Sequence, residues 1–123
     1  MIAGVGTDIV SVKRIENAFA KNAKIAMRIL SEKETLYFFE RNSSPSFLAG
    51  RFAAKEAVMK ALGTGLSQGI KFKDIEITYK NKSPLVVLKG EALKHFNSLS
   101  GRKIFISISH EKDYAVAFAV IER

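Results

Sequence analysis

Glu56 and Lys60 stand four residues apart within the run from Phe47 to Leu62. A carboxylate and an ammonium at that spacing share one face of a helix. On an ordinary amphipathic helix they would form a weak, solvated ion pair. Here the same sector carries Ala49, Phe52 and Ala53, so the pair is expected in a partly dry place. A charge in such a place must be paired, coordinated or discharged. Asp8, set among apolar residues in Gly4-Val5-Gly6-Thr7-Asp8-Ile9-Val10, offers a second carboxylate. Two carboxylates with substrate phosphates and waters suit Mg²⁺. The residues alone leave the pairing of Asp8 with Glu56 open, since Asp8 could instead cap the next helix, although Ser11 is better placed for that.

Other positions carry weaker signals. Gly63-Thr64-Gly65 follows the helix. One glycine there is an ordinary helix stop, and two around a threonine let backbone approach a phosphate. His110 ends an alternating Ile104–Ser109 segment and by itself reads as a turn histidine hydrogen-bonded to backbone. His95 reads as boundary filler. No His, Asp or Glu spacing suits zinc, and no nucleophile elbow is present.

The elements that must position these groups follow from pattern. Residues 2–10 read as a strand whose glycines predict a bulge or a close approach by another segment. Ser11 is an N-cap for a helix through the twenties, and Ser31 with Glu34 has capping-box spacing. Residues 46–62 are apolar nearly all round a helical wheel, which predicts a central, buried helix. On that wheel Arg51 and Lys55 occupy the sector opposite Glu56 and Lys60. Residues 70–80 and 85–89 read as strands around a turn at Asn81–Pro84, and 91–99 as a short helix stopped by Gly101. Residues 103–110 and 114–122 read as a closing hairpin. Helices and strands without regular alternation predict an α+β fold with a mostly antiparallel sheet, a long central helix and shorter helices.

Composition bounds the rest. A length of 123 residues predicts one domain, residues 1–123. The absence of cysteine excludes disulfides, thiolate metal sites and a cysteine nucleophile, and fits a reducing cytoplasm. The charged residues that follow the first apolar pair argue against a signal peptide, and the longest apolar run, Tyr114 to Ile121, is far too short for a membrane span. A net charge of +8 points to an acidic partner: nucleic acid, an anionic membrane, a polyphosphate or an acidic protein.

Three segments together resemble the holo-acyl carrier protein synthases, the small bacterial 4′-phosphopantetheinyl transferases. They are Gly4 to Val10, Phe47 to Gly65 with its Ala53-Ala54-Lys55-Glu56-Ala57 centre, and Ile106-Ser107-Ile108-Ser109-His110-Glu111. Their order, spacing and the total length agree, so the resemblance covers essentially the whole chain. It implies an α+β trimer with active sites between subunits, acting in the cytoplasm in fatty acid biosynthesis. It implies Mg²⁺ as cofactor, coenzyme A as donor substrate, a serine of apo-acyl carrier protein as acceptor, and adenosine 3′,5′-bisphosphate as the other product. By motif position, Asp8 and Glu56 would bind Mg²⁺ and take part in catalysis with Lys60, which would contact the coenzyme A phosphates. Arg51, Gly63, Thr64, Pro84 and His110 would line the coenzyme A site.

Acyl carrier proteins are acidic as a family, and the sequence offers a docking face for one. If residues 12–29 form one continuous helix, Arg14, Lys21, Lys24 and Arg28 fall in a narrow stripe, where a merely solvated face is the alternative. Two rival functions share these features. A small nucleic-acid-binding domain fits the charge, but the chain lacks the aromatic signature and zinc spacing of the common modules. A Mg²⁺-dependent phosphohydrolase could use the same Asp8 and Glu56. The resemblance favours the transferase, with neither nucleic acid nor membrane as a partner.

Overall fold

The structure is a computed structural model that describes residues 1–63 and 69–123. The chain runs β1 (Ile2–Ser11), α1 (Val12–Lys21), α2 (Lys24–Ile29), α3 (Glu32–Glu40), α4 (Pro45–Ala61), a 3₁₀ turn (Phe72–Asp74), β2 (Ile75–Lys80), β3 (Ser83–Leu88), α5 (Gly90–Ser98), β4 (Lys103–His110) and β5 (Tyr114–Glu122). The fold is α+β, and every strand pairing is antiparallel: a three-stranded sheet ordered β1-β5-β4 and a β2-β3 hairpin.

Helix α4 is the centre of the molecule. Ser44 caps it through an Oγ that accepts the Phe47 amide at 3.4 Å, and Pro45 occupies its first turn, where no amide is needed. Ala53, Ala54, Ala57, Val58 and Ala61 are buried against the inner face of the sheet. The facing residues of β5 are Ala115, Ala117, Ala119 and Ile121, all buried. Small side chains on both surfaces let helix and sheet approach closely. The approach is closest at β1: a methyl group built on Gly4 or Gly6 would overlap the carbonyl oxygens of Ala61 and Ala57. The two glycines therefore serve the close backbone approach that their place in a strand suggests.

A second apolar cluster lies under the N-terminal half of α4. Val12, Ile15, Ala26, Ile29, Leu30, Phe38, Phe47 and Leu48 join helices α1 to α4, with Phe19 edge-on to Phe38 at 5.5 Å.

Three boundaries differ from the sequence reading. The helix expected through 12–29 breaks in two, because Asn22 leaves helical geometry and its side chain accepts the Lys24 amide at 3.1 Å. The strand expected from residue 70 begins only at Ile75, since Asp74 draws residues 72–74 into a 3₁₀ turn by accepting the Lys71 amide at 3.1 Å. Helix α5 ends through Ser100, at φ 58°, rather than through a left-handed Gly101. Gly101 has a different task, for the Phe96 ring occupies the space that its Cβ would take. The β2-β3 turn is as expected, with Asn81 and Lys82 at φ 51° and 68°, the two positive values of a tight hairpin.

Candidate active site

The wheel prediction for α4 holds: its two charged sectors face different neighbours. On one side α4 meets β1. Asp8 is on the inner face of β1, two residues beyond Gly6, and its Oδ1 accepts Lys60 Nζ at 3.1 Å. Lys60 Nζ also donates to the Thr7 carbonyl at 3.0 Å. Lys60 thus pairs with Asp8, 52 residues away, rather than with Glu56 one turn back. Its side chain remains 53% exposed, so the partly dry setting expected of the Glu56–Lys60 pair does not hold for the lysine, while its partner Asp8 is only 18% exposed.

Glu56 shares a cleft of about 390 Å³ with Asp8, Ile9, Val10, Arg14, Ile15, Ala18 and Phe52. Burial pushes the Glu56 carboxyl above the usual carboxylate range. The charge of Asp8 raises it further, and Lys60 partly offsets both. Two carboxylates brought together in a half-buried cleft are a hard-oxygen donor pair for a divalent cation. Among the described residues no group of three or more His, Cys, Asp or Glu comes together, so a complete protein cage is not formed there.

On the other side α4 meets α3 and β2. Arg51, Pro84 and His110, from three different elements, line one cleft of about 490 Å³. The Arg51 guanidinium stacks on the Phe47 ring at 4.5 Å and donates from Nη2 to the Tyr79 hydroxyl at 2.8 Å. Behind it lies a buried charge network. Glu34 Oε1 accepts the Ser31 amide at 2.9 Å, closing the capping box that the sequence predicts, and also accepts Lys55 Nζ at 2.6 Å. Glu34 Oε2 accepts the Ile77 amide at 3.2 Å and faces Arg51 Nε at 3.5 Å. Burial pushes the Lys55 ammonium below the usual lysine value, against the pull of Glu34.

The remaining expected positions divide. Gly63, at φ 76°, closes α4 in the left-handed conformation, with its amide donating to the Lys60 carbonyl at 3.0 Å. Thr64 lies outside the described residues. Arg14 lines the Asp8–Glu56 cleft. Lys24 and Arg28 instead line a groove of about 920 Å³ with Met27, Lys71, Phe72 and Lys73. The break at Asn22 therefore divides the expected basic stripe, leaving Lys21 exposed at the end of α1. Sequence reasoning missed Arg41, Ser44, Ser46 and Tyr79 in the Arg51 cleft. Arg41, in the turn between α3 and the Ser44 cap of α4, was the available signal. Glu34 was read as a cap alone, and nothing in its spacing announces Lys55.

Residues 4–119 match the 4′-phosphopantetheinyl transferase superfamily. The chain belongs to that superfamily. It is 48% identical over 123 residues to the holo-[acyl-carrier-protein] synthase of Clostridium tetani, covering 99% of this chain and 97% of that protein. Among solved structures it superposes on the Neisseria meningitidis holo-[acyl-carrier-protein] synthase with a TM-score of 0.90 at 40% identity over the whole of both chains. The Helicobacter pylori holo-[acyl-carrier-protein] synthase, solved in complex with coenzyme A, gives 0.83 at 34% identity over 96% of this chain and 99% of that one.

Proposed function

We propose that this chain is a holo-acyl carrier protein synthase, which moves 4′-phosphopantetheine from coenzyme A to a serine of apo-acyl carrier protein and releases adenosine 3′,5′-bisphosphate. The observation that carries the reading is the meeting of Asp8, Glu56 and Lys60 at one end of α4, in a chain of this superfamily.

The serine oxygen attacks the phosphorus that bears the pantetheine arm, and the bond from that phosphorus to the bridging oxygen breaks. The barrier is negative charge gathering on attacking, bridging and leaving oxygens, so positioning and electrostatics should dominate. Asp8 and Glu56 would hold Mg²⁺, which supplies Lewis-acid charge to the paired phosphates. Lys60, half exposed beside Asp8, is free to reach the leaving phosphate and stabilise or protonate it. The serine proton passes to Glu56 directly or through a water.

Arg51, Pro84 and His110, with Gly63 and Thr64, are assigned to the coenzyme A site. Among the described residues none lines both the Arg51 cleft and the Asp8–Glu56 cleft, and α4 presents them from opposite flanks. The outer face of the three-stranded sheet exposes Val5, Ile9, Phe105, Tyr114, Val116 and Phe118. An apolar sheet face of that kind calls for a cover. Both features support a homotrimer in which one copy's Asp8–Glu56 cleft meets a neighbour's Arg51 cleft. The basic groove of Lys24, Arg28, Lys71 and Lys73, with Arg14 and Lys21 nearby in sequence, suits the acidic carrier protein. No described helix is long and apolar enough to cross a membrane, and a chain without cysteine fits cytoplasmic work.

Intact-mass spectrometry of apo-acyl carrier protein incubated with this chain, coenzyme A and Mg²⁺ tests the reading. A gain of one phosphopantetheinyl group, abolished by EDTA, is expected. No gain with a competent apo-acceptor would overturn it.

A further inference from the structure

Glu34 has no part in the chemistry above, yet its carboxylate is fully buried between two cations. Lys55 and the Ser31 amide hold Oε1, while Oε2 takes the Ile77 amide. The remaining approach, Arg51 Nε at 3.5 Å, is too long for a full hydrogen bond. Nε is also the one buried side-chain nitrogen or oxygen among the described residues without a hydrogen-bond partner. Arg51 is thus fixed by Phe47 and Tyr79 and held at long ion-pair distance from Glu34, a carboxylate that it shares with Lys55. Glu34 is shared by two cations, and Glu76, the other carboxylate near Lys55, has Lys89 as its own partner at 3.8 Å; one positive charge is left over, and Arg51 is the member that lines the cleft.

We propose that Lys55 is a positioning residue for this cleft: by engaging Glu34 it keeps the carboxylate from closing on Arg51, and so leaves the guanidinium charge to a phosphate of coenzyme A. The inference rests on the reading that the Arg51 cleft takes coenzyme A. Lys55 itself has no exposed surface and spends its other hydrogen bond on the Ile29 carbonyl. Without its charge, Glu34 and Arg51 form a one-to-one pair. The 3.5 Å gap closes, and an incoming phosphate meets a neutral couple.

The test measures Kd for adenosine 3′,5′-bisphosphate, and KM and kcat for coenzyme A, in the full chain and in K55M, E34Q, E34Q/K55M and R51Q. Loss of one charge-assisted contact corresponds to about tenfold, so K55M should weaken Kd and raise KM by that much while kcat stays nearly constant. E34Q/K55M should recover most of the affinity, because Arg51 again has no competing carboxylate. A role in packing alone would make the double variant worse than either single one. Unchanged affinity in K55M, or a double variant as weak as K55M, overturns the inference. Should K55M fail to fold, E34Q decides: affinity held or tightened supports the inference, and affinity lost overturns it. R51Q separates the two levels. If R51Q binds normally, the coenzyme A reading of this cleft falls; if R51Q is weak but K55M normal, only the role of Lys55 falls.

Discussion

Asp8 and Lys60 meet at 3.1 Å across the contact between β1 and α4. That contact exists because Gly6, two residues before Asp8, has no side chain to hold the helix away. Gly6→Ala should therefore lower stability by about 1–3 kcal/mol, as overpacking does. It should also reduce turnover by displacing Asp8. Thermal unfolding and the mass assay check both effects, and full activity in a stable variant would contradict the link.

Lys60→Met removes a positive charge from the proposed leaving phosphate. Loss of one such group costs about 10²–10³ in kcat. The leaving phosphate is the 5′-phosphate of adenosine 3′,5′-bisphosphate, so affinity for that product should fall as well, by less than kcat does. Glu56→Gln should lose most activity and flatten the response to Mg²⁺ concentration. Near-normal turnover in that variant would remove Glu56 from the assignment.

Glu56 also predicts a pH effect on stability in the absence of metal. Its folded carboxyl is raised above the ordinary value by burial and by Asp8. The native state therefore holds the proton more tightly than the unfolded chain does. The contribution is present below the ordinary carboxylate pKa and is lost as pH rises through the raised one. Glu56→Gln should unfold at a higher temperature than the parent at pH 8, with the difference shrinking towards pH 4. Mg²⁺ should stabilise the parent more than the variant.

Reversing Lys24 and Arg28 to Glu changes the rim of the basic groove. KM for the carrier protein should rise about tenfold, with a weaker salt dependence. KM for coenzyme A should stay constant. Equal effects on both substrates would indicate general destabilisation.

Divided clefts predict complementation. In the proposed trimer, an inactive Asp8→Asn chain mixed with an Arg51→Gln chain that binds coenzyme A weakly should show more activity at low coenzyme A than either chain alone. A Val116→Glu, Phe118→Glu double variant should sediment as a monomer and lose activity. A monomer that keeps full turnover would place the whole site in one chain.

The site was legible where the chemistry and the helix period coincide. The wheel on residues 46–62 separated Arg51 and Lys55 from Glu56 and Lys60, and the structure keeps them on opposite flanks. The Ser31–Glu34 box was legible because both of its bonds are local. The second use of Glu34 was not, since Lys55 reaches it across 21 residues and only the folded packing of α3 on α4 decides that. The break at Asn22 escaped notice because an extended asparagine whose side chain accepts the first amide of α2, with no proline or glycine, separates the two helices. A basic stripe drawn on one helix therefore became two surfaces.

Lys55 and Glu56 are neighbours in the chain, yet each answers to a different side of the molecule. Consecutive helical residues are turned by about 100° from one another. A one-residue insertion or deletion between Arg51 and Lys60 would therefore swing a bare carboxylate into the interior and withdraw the ammonium that belongs there. The count of residues in α4 is therefore as much a part of the site as the side chains it carries, and a change of length in this chain is expected to be tolerated only in the connections on either side of it.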